Sequence, residues 1–436
     1  MNDRKDTVGV IGVGWVGLVT AACFAELGHP VIARDIVGEK VAALSRGEVA
    51  IHEPGLEDLL RRNAERLTFT TDMDELLAGA RLLFVCVDTP PTYSGDADLS
   101  RVRTVVQELP EDSDHVLIMK STVPAGTGDS IRRDMPGLSY VSCPEFLKGG
   151  TAVKDFMNPD RVVVGADPGD EAAADAVGRL YQPLGGEILR TDVASAEMIK
   201  LASNAFLATK ISFINEIANV CEEVGADVGQ VAKGMGLDER IGPKFLKAGI
   251  GWGGSCFGKD TIALKKLAGN SGYHFQLLSA VIDVNELQKR RVVQKLKQHL
   301  DSLAGRRVAL LGLAFKPDTD DMRDAASLVL AARLEGEGAD VVAYDPVAAE
   351  RASQLLGSVE MAPSAMEALD GADAAVLVTE WKEFAELDWA AAAERMNRAL
   401  IVDGRNFLDP AKLTGVGFEY EGIGRTVNSP RPATAS

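Results

Sequence analysis

One short segment combines the residue types that cysteine chemistry requires. Around Cys256 the chain reads Gly251-Trp-Gly-Gly-Ser-Cys-Phe-Gly-Lys-Asp260. A reactive cysteine needs nearby positive charge and free backbone N–H groups, because the thiolate is the nucleophile. Lys259 supplies that charge, Asp260 has the chemistry to position a water, and Gly253 allows the backbone to approach a ligand closely. The segment predicts a nucleophilic Cys256; the alternative is a buried glycine-rich turn in which the cysteine is incidental.

A glycine motif near the start of the chain predicts a dinucleotide site. The apolar run 7–13 is typical of a buried parallel strand, and the motif Gly-Val-Gly-Trp-Val-Gly follows it and opens a helix that ends near Leu27. A second strand, 30–35, ends in Asp35, and an acid about 20 residues after the glycines completes the fingerprint. The expected cofactor contacts in the motif are Gly12, Val13, Gly14, Trp15, Val16 and Gly17. The alternative is a turn that binds no ligand.

The acid at the end of the second strand favours NAD over NADP. Asp35 would accept hydrogen bonds from the adenosine ribose hydroxyls and would repel a 2′-phosphate. The neighbouring cations Arg34 and Lys40 weaken this preference.

Polar residues follow several later strands of the first half. Apolar runs predict strands at 80–87, 115–122, 139–143 and 160–165. Thr89, Thr122 and Glu145 fall at the carboxyl ends of the first three, where open α/β sheets bind their ligands. Each of them alone could be a helix cap or a turn residue. Together they outline a site at one edge of a sheet.

A long helix is predicted over 193–225. The stretch contains no proline, ends at Gly225 and is apolar on more than one face, which suits a helix that joins two domains and pairs with a second subunit. Lys200 and Asn204 are four residues apart and project from the same face. Their apolar surroundings favour a pocket over the alternative of a solvated face.

The second half repeats the strand–helix alternation without a second glycine fingerprint. A helix over about 261–300 is followed by strands at 307–313, 339–345, 372–379 and 399–403 and a helix at 325–338. The loop 314–323 carries Lys316 and Arg323, and Arg405 follows the last of these strands. Cations at strand ends predict a second, phosphate-bearing ligand. For Lys316 the alternative is a surface ion pair with Asp320 or Asp321. The sequence therefore predicts an α/β protein of two Rossmann-like, doubly wound domains joined by a long central helix.

Composition limits the classes of function. A chain of 436 residues needs two or three domains, and a net charge of −18 argues against binding to nucleic acid or to anionic membranes. Five cysteines without a Cys-x-x-Cys motif favour a reducing compartment. No apolar run is long enough to span a bilayer, and the N-terminus has no signal-peptide pattern, so we expect a cytoplasmic protein. No histidine or cysteine spacing predicts a metal site. The tail from Asn428 onward is expected to be disordered.

A dinucleotide site, a phosphate-bearing ligand and a reactive thiol together predict oxidation beyond an aldehyde. The Cys256 thiolate adds to the carbonyl, hydride leaves to NAD, and the thioester that results is hydrolysed. Lys200 would stabilise the developing oxyanion and Asn204 would donate a further hydrogen bond. Three residues could order or activate the hydrolytic water: Asp260, Thr122 and Glu145.

As an ordered set, the motifs resemble the UDP-glucose/GDP-mannose dehydrogenase family over nearly the whole chain. The segments that carry the resemblance are 12–18, 52–56, 86–90, 120–124, 144–147, 200–204, 251–257 with Lys259 and Asp260, 314–316 and 403–405. The resemblance implies oxidation of a sugar C6 alcohol to a carboxylate with NAD, and UDP-glucose as the substrate. It also implies an NAD-binding domain (1–192), a helical connector through which a homodimer forms (193–300) and a UDP-sugar-binding domain (301–436).

The resemblance assigns roles to individual residues. It makes Cys256 the thiohemiacetal and thioester nucleophile. It places Lys200, Asn204 and Asp260 around the reacting carbon, with Glu145 and Thr122 in thioester hydrolysis. Cofactor contacts outside the glycine motif are Asp35, Lys40, Thr89, Thr122, Lys259 and Arg323. Substrate contacts are Glu145, Phe146, Leu147, Lys148, Lys200, Asn204, Arg240, Phe245, Leu246, Lys247, Gly249, Gly253, Lys316 and Arg405, with Arg240 reaching the neighbouring subunit's substrate.

Three other functions remain open from the sequence. The same chemistry could act on another sugar nucleotide such as GDP-mannose. A two-electron dehydrogenase would leave Cys256 incidental, and a sensor would bind NAD and a sugar nucleotide without turnover. Gly149 and Gly258 depart from the family pattern, which usually has glutamate and proline at these positions, and they are the features that favour a sensor.

Overall fold

The computed structural model describes residues 5–110 and 114–425. The expected disordered tail from Asn428 lies outside the described residues. The chain divides into two compact units. The first unit comprises the residues up to Asn204 together with Ile262–His274. The second comprises Ala205–Thr261 and the residues from Phe275 onward.

The first unit is built on an eight-stranded sheet with the order β3-β2-β1-β4-β5-β6-β7-β8. Neighbouring strands are parallel except for β6 and β7, which pair antiparallel. The strands are β1 Val8–Ile11, β2 Val31–Arg34, β3 Leu67–Thr70, β4 Leu82–Val85, β5 Val116–Met119, β6 Ser139–Ser142, β7 Arg161–Gly165 and β8 Glu187–Thr191. The strands predicted from apolar runs are all present.

The second unit has a six-stranded, wholly parallel sheet with the order β11-β10-β9-β12-β13-β14. Its strands are β9 Arg307–Leu311, β10 Asp340–Tyr344, β11 Glu360–Met361, β12 Ala374–Leu377, β13 Leu400–Asp403 and β14 Glu419–Gly422. Both sheets reverse their order beside the first strand, β1 or β9, which is the doubly wound arrangement that the sequence predicts.

Helices connect the strands, and two of them cross the boundary between the units. Through the first 300 residues they are α1 Trp15–Glu26, α2 Gly38–Ser45, α3 Leu56–Arg62, α4 Met73–Gly79, α5 Ser100–Gln107, α6 Thr127–Asp134, α7 Ala152–Met157, α8 Glu171–Tyr181, α9 Val193–Val224, α10 Val228–Gly236, α11 Phe257–Asn270 and α12 Gln276–Leu300. The remainder are α13 Ala326–Gly336, α14 Ala349–Leu355, α15 Ala365–Leu369, α16 Lys382–Glu386, α17 Trp389–Arg395 and α18 Pro410–Gly415, with short 3-10 helices at Ala64–Arg66 and Gln182–Leu184. The boundary falls within α9 and within α11.

One helix prediction was wrong. The single helix expected over about 261–300 is two helices, α11 and α12, and α11 already begins at Phe257. Between them Gly272 adopts a φ of +82°, which a helix cannot accommodate and which costs glycine little.

Each sheet has a hydrophobic layer on both faces. On β4, Leu82 and Phe84 pack into one layer while Leu83 and Val85 pack into the other. The second unit repeats this alternation along β9. Full burial of such a side chain contributes about 1.5–3 kcal/mol, so the paired layers hold each sheet and its strand ends in place. No helix among the described residues is both long and apolar enough to cross a membrane.

Candidate active site

The glycine motif forms a tight loop between β1 and α1 in the first unit. Gly12 adopts a φ of +91°, and a Cβ on Gly17 would lie 1.8 Å from the Gly12 carbonyl oxygen. Gly14, by contrast, has no atom within 4 Å of the place that a Cβ would take. The fold therefore requires Gly12 and Gly17, whereas Gly14 leaves open space at the N-terminus of α1, where a pyrophosphate binds in this kind of fold.

Asp35 follows β2 and holds this loop. Its Oδ2 accepts hydrogen bonds from the Val13 N–H (2.9 Å) and from Lys40 Nζ (3.1 Å), and its Oδ1 accepts from the Val37 N–H (3.0 Å). Burial alone would raise the pKa of Asp35, but these hydrogen bonds bring the pKa below its usual value. A carboxylate has about four acceptor positions, so one remains for a ribose hydroxyl.

Arg34, which weakened the expected preference for NAD, is held by Glu108. Its Nη1 lies 3.0 Å from Glu108 Oε2, and its Nε donates to the Thr71 carbonyl at 3.4 Å. The Arg34 guanidinium is thus paired with the Glu108 carboxylate, and this pairing competes with binding of a 2′-phosphate.

Glu53 joins the glycine loop to the segment after β6. It is buried, and its Oε2 accepts from the Trp15 indole N–H (3.0 Å) and the Gly150 N–H (2.8 Å). Its Oε1 accepts from the Ala152 N–H at 2.8 Å. The next motif residue, Val16, is half-buried and accepts a hydrogen bond from the Thr20 hydroxyl. Glu53 lies in the motif segment 52–56, but the sequence predicted no role for this residue.

The strand-end residues Thr89 and Thr122 are brought together. The Thr89 hydroxyl, which is buried, donates to the Thr122 carbonyl at 2.7 Å. The ends of β4 and β5 are thereby joined.

Glu145 and Lys200 form a buried ion pair. Lys200 Nζ lies 2.7 Å from Glu145 Oε1, and Glu145 Oε2 accepts from the Leu147 N–H at 2.6 Å. Burial would raise the pKa of Glu145, yet the Lys200 charge and these hydrogen bonds lower it below its usual value. The Phe146 ring lies 5.4 Å from Lys200 Nζ and 3.5 Å from the Arg161 guanidinium carbon, so the ring is stacked on one cation and faces another.

The neighbouring predicted residues differ in their surroundings. Asn204 is buried one turn after Lys200 on α9. Leu147 is half-buried against the core of the first unit. Lys148 is exposed and pairs with Asp155 at 3.1 Å, which makes it a surface ion pair in this structure.

In the second unit Cys256 caps a helix. The Asp260 N–H donates to the Cys256 carbonyl at 2.9 Å, the first hydrogen bond of α11, so Cys256 is the N-cap residue. The cysteine is exposed, whereas the other four cysteines are buried. A helix N-terminus presents free N–H groups and positive partial charge, which favours a thiolate.

Two charged residues lie in the first turn of the same helix. Lys259 Nζ is 3.3 Å from Asp260 Oδ1, and the Asp260 side chain is buried. The predicted cation and carboxylate therefore flank Cys256 on one helical turn.

The glycines before Cys256 have a packing role that sequence analysis did not predict. A Cβ on Gly253 would lie 2.3 Å from the Asp324 carbonyl oxygen, and one on Gly254, whose φ is +86°, would lie 2.7 Å from the Phe315 ring. The space expected for a ligand's approach is taken at these atoms by the segment that follows β9. Gly258 leaves room for the Asp324 carboxylate, which would be 2.4 Å from its Cβ.

Arg405 is engaged with backbone carbonyls. It donates from Nε to Val378 (2.7 Å), from Nη1 to Gly251 (2.9 Å) and from Nη2 to Phe315 (3.2 Å). Burial lowers the pKa of Arg405. The residue thus ties together three segments at the carboxyl edge of the second sheet.

The remaining predicted cations of the second unit lie on loops. Lys316 Nζ is 5.4 Å from the Phe315 ring, and Arg323 pairs with Asp321 at 2.7 Å. Arg351 pairs with Asp320. The two acids proposed as alternative partners of Lys316 are therefore each held by an arginine.

The residues 240–249, which precede the segment around Cys256, contain the other predicted substrate contacts. Arg240 is exposed and pairs with Asp238 at 2.6 Å. Phe245 has a φ of +64°, which is unusual for a bulky residue, and its ring packs edge-on against Phe257. Leu246 and Gly249 are buried, and Lys247 is exposed.

Within each unit, then, the structure brings several predicted residues together. Among the described residues, no group of three or more His, Cys, Asp or Glu side chains could hold a metal ion. Lys200, Asn204 and Glu145 lie in the first unit and Cys256 and Asp260 in the second.

Comparison with known proteins decides the family. Models of the UDP-glucose/GDP-mannose dehydrogenase family match three parts of the chain: the NAD binding domain at residues 6–185, the central domain at 194–287 and the UDP binding domain at 309–410. The chain belongs to the UDP-glucose/GDP-mannose dehydrogenase family. It is an NAD-dependent oxidoreductase, as the glycine motif and Asp35 predicted.

Individual relatives are similar over their full length. UDP-glucose 6-dehydrogenase TuaD of Bacillus subtilis is 44% identical over 430 residues, which cover 96% of this chain and 93% of that protein. The structure of a UDP-glucose dehydrogenase from Pyrobaculum islandicum matches with a TM-score of 0.89 and 36% identity, covering 98% of this chain and 99% of the other. A UDP-D-ManNAc dehydrogenase from Pyrococcus horikoshii matches with a TM-score of 0.84 and 29% identity over 96% and 99%.

Four buried polar residues around these sites were missed by sequence analysis. Glu197 on α9 accepts from the Gly126 and Gly128 N–H groups, at 2.8 and 2.9 Å. The other three, Asn215, Asn285 and Gln288, bond the backbone of Gly249 and Trp252, just before Cys256. One signal was available for α12, because Asn285 and Gln288 continue the apolar spacing of Leu278, Val281 and Val292 and so belong to its buried face.

Proposed function

We propose that this dehydrogenase oxidises UDP-glucose at C6 to UDP-glucuronate in two NAD-dependent steps, through a thiohemiacetal and a thioester on Cys256. The observation that carries the proposal is the exposed thiol at the N-cap of α11, with Lys259 in the first turn. A two-electron dehydrogenase has no use for an activated thiol in this position. An enzyme that takes an aldehyde on to an acid requires one.

The proposed steps balance as follows. The C6 alcohol loses a hydride and a proton to give the aldehyde. The Cys256 thiolate adds to the aldehyde carbon, and the oxyanion that forms takes up a proton to give a thiohemiacetal. The thiohemiacetal loses a second hydride and a proton to become a thioester. Water then displaces the thiolate and leaves the carboxylate, and its two protons pass to solvent. Bound NAD supplies the hydride acceptor in each oxidation.

Residues of the first unit are proposed to handle the charges of these steps. Lys200 stabilises the oxyanion that forms at C6, and Asn204 donates a hydrogen bond to it. Glu145 and Thr122 act on the hydrolytic water, with Asp260 of the second unit assisting. The Glu145–Lys200 ion pair supports this assignment, because it keeps the carboxylate ionised and therefore able to accept a hydrogen bond from the water that it orders.

The cofactor is proposed to lie on the glycine loop. The open space at Gly14 fits a pyrophosphate at the N-terminus of α1, and Asp35 retains an acceptor position for a ribose hydroxyl. The full set proposed to hold NAD is Gly12, Val13, Gly14, Trp15, Val16, Gly17, Asp35, Lys40, Thr89, Thr122, Lys259 and Arg323.

The sugar nucleotide is proposed from the relatives of this chain. UDP-glucose is favoured because relatives of 44% and 36% identity carry that substrate in their names. Another sugar nucleotide, such as GDP-mannose, is the second candidate, since the fold also occurs in a dehydrogenase named for UDP-D-ManNAc. The residues proposed to bind it are Glu145, Phe146, Leu147, Lys148, Lys200, Asn204, Arg240, Phe245, Leu246, Lys247, Gly249, Gly253, Lys316 and Arg405.

A homodimer through α9 completes the proposal. Phe206, Phe213 and Val220 follow one another at intervals of seven residues and are 65%, 48% and 56% exposed. Large apolar side chains in such a row on one helix face are typical of a surface covered by another helix. We also propose that the chain is divided into three parts: a cofactor domain (1–192), a connector (193–300) and a UDP-sugar domain (301–436).

The deciding experiment counts NADH released per sugar nucleotide. With limiting UDP-glucose and excess NAD, we expect two NADH per sugar from the wild-type enzyme and none from Cys256→Ala. Cys221→Ala, which changes a buried cysteine of the same unit, is the control and should keep the wild-type ratio.

The other outcomes identify the competing functions. One NADH per sugar, unchanged in Cys256→Ala, would overturn the thioester route and favour a two-electron dehydrogenase. Turnover with GDP-mannose but not with UDP-glucose would overturn the assignment of UDP-glucose as the substrate. Binding of NAD and a sugar nucleotide, without turnover of UDP-glucose or GDP-mannose, would favour the non-catalytic sensor.

A further inference from the structure

A buried amide on α12 bonds the backbone of the segment that leads to Cys256. Asn285 is fully buried, although asparagine is usually a surface residue. Its Oδ1 accepts the Trp252 N–H at 2.8 Å and its Nδ2 donates to the Trp252 carbonyl at 3.0 Å. The side chain thus pairs with both polar groups of one residue, as a neighbouring strand would.

Two further amides bond the same segment. Gln288, one turn along α12, donates to the Gly249 carbonyl at 2.9 Å, and Asn215 on α9 accepts the Gly249 N–H at 2.8 Å. The side chains of Gln288 and Asn215 are both buried. Irregular backbone that is buried must find hydrogen-bond partners, and here side-chain amides provide them.

The contact at Asn285 is close as well as polar. Gly251 has a φ of +102°, and a Cβ there would lie 2.6 Å from Asn285 Oδ1. The backbone therefore passes directly over the amide, and no larger residue fits at Gly251. Trp252 is fixed on its other side by its indole N–H, which donates to Ser212 Oγ at 3.1 Å.

The three residues between Trp252 and Cys256 are Gly253, Gly254 and Ser255. Glycines restrict the backbone least of all residues, so this stretch has little conformational preference of its own. The place of the thiol then depends on the contacts that hold the stretch and its two ends. Within the stretch the Gly254 N–H donates to the Arg323 carbonyl at 2.9 Å, and the two ends are the start of α11 and Trp252, which Asn285 holds.

We propose that Asn285 is a positioning residue for the nucleophile, holding the Trp252 peptide groups so that Cys256 sits at the N-cap of α11. The proposal rests on the proposed function of Cys256. It assigns a role in the reaction to an amide that is remote from the thiol in sequence and belongs to another helix. An apolar residue at 285 would leave the Trp252 N–H and carbonyl buried without partners, and the segment would move to find them.

The test measures the thiol directly. Because Cys256 is the exposed cysteine and the other four are buried, the rate of alkylation by iodoacetamide reports on Cys256. In Asn285→Leu, we expect the midpoint of the alkylation rate against pH to move upward, because a displaced thiol loses the helix N-terminus that favours its thiolate. We expect kcat to fall between about 10-fold and 100-fold, as for a reacting group that is misplaced, and the KM for NAD to stay within about twofold.

Two further variants keep the result interpretable. Leu296→Ala removes a buried side chain from the same face of α12, three turns further on, and should lower the melting temperature while leaving the alkylation profile and kcat unchanged. Asn285→Ser keeps one hydroxyl for hydrogen bonding and should give an intermediate profile, and it replaces Asn285→Leu if that variant does not fold.

An alkylation profile and kcat in both Asn285 variants equal to those of Leu296→Ala would overturn the proposal. Failure of the proposed function is distinguishable, because turnover that persists in Cys256→Ala removes the nucleophile from the mechanism. The alkylation profile would still show whether Asn285 holds the thiol.

Discussion

Two acids at matching positions in the two sheets, Asp35 and Asp345, differ in how many hydrogen-bond acceptor positions they have left for a ligand. Asp345 follows β10 as Asp35 follows β2, but Asp345 accepts hydrogen bonds from the N–H groups of four residues and from the Trp381 indole. Asp35 accepts three hydrogen bonds. Since a carboxylate has about four acceptor positions, Asp345 has none left for a ribose. The second unit therefore repeats the topology of the first without its nucleotide chemistry at this residue.

Alanine substitutions at two glycines of the cofactor loop should separate folding from cofactor binding. Gly14→Ala meets open space, so we expect an unchanged melting temperature but an NAD KM raised about tenfold or more, because the methyl group occupies the pyrophosphate's place. Gly17→Ala would clash with the Gly12 carbonyl and should lower the unfolding free energy by about 3 kcal/mol or more. Thermal unfolding and NAD titration of the two variants check this. Equal effects of both substitutions on stability would contradict the assignment.

Glu197 should make the stability of the protein depend on pH near neutrality. Burial raises the pKa of Glu197 from 4.5 to about 7, despite hydrogen bonds from Gly126 and Gly128 that lower it. The folded state then holds a proton that the unfolded state has released, so this contribution is complete below pH 4.5 and is lost as the pH rises through about 7.

The measurement is urea unfolding of wild type and Glu197→Gln across that range. Between about pH 5 and pH 8, the stability of the wild type relative to the variant should fall by roughly 2–3 kcal/mol, since each pKa unit corresponds to about 1.4 kcal/mol. Parallel pH profiles for the two proteins would show that Glu197 does not titrate in this range.

At the scale of elements, Glu53 joins the ends of three of them. It lies just before α3, accepts from Trp15 at the start of α1, and accepts from Ala152 at the start of α7. The Ala152 N–H is one of the backbone groups that the first turn of a helix leaves without an intrahelical partner, whereas the Trp15 donor is the side-chain indole N–H.

Glu53→Gln should weaken this junction. The amide group would place an N–H donor against other donors, which should reduce the unfolding free energy by about 1–3 kcal/mol and raise the KM for NAD, because the glycine loop is no longer held. Glu48→Gln, at an exposed residue paired with Arg46, is the control and should change stability by less than about 0.5 kcal/mol. Denaturant unfolding and NAD kinetics test the pair. A Glu53→Gln variant as stable as the control would refute the junction.

The elements themselves were largely predictable where their sequence is apolar. Strands such as β4 and β12 are buried on both faces and appear as continuous apolar runs. Strands β3, β8, β11 and β14 were not predicted, because they are the edge strands of the two sheets and mix polar and apolar residues, as in Glu187–Thr191. Gly272 hid the break between α11 and α12, since a glycine within a helical pattern is often tolerated.

At the scale of the whole molecule, the exposed apolar row on α9 should govern oligomeric state. Phe213→Glu places a charge in the centre of the row, so we expect the sedimentation coefficient to change from that of a dimer to that of a monomer. Glu216→Gln, an exposed change on the same helix, should leave the dimer intact. Sedimentation velocity at several protein concentrations distinguishes dimer from monomer for the wild type and both variants. A wild-type protein that sediments as a monomer would disprove the dimer.

The sequence by itself determined the fold class, the family and the cofactor, because these depend on local patterns. Glycine spacing, apolar runs and the acid after β2 are each set by neighbours in the chain. Only the tertiary structure decided which polar residues hold the site. Asn285 bonds Trp252 from another helix, Glu53 bonds Ala152 across about a hundred residues of chain, and Arg405 bonds Gly251. Hydrogen bonds of this kind join residues that are remote in sequence, and a single sequence carries no signal for which buried amide or carboxylate meets which backbone group.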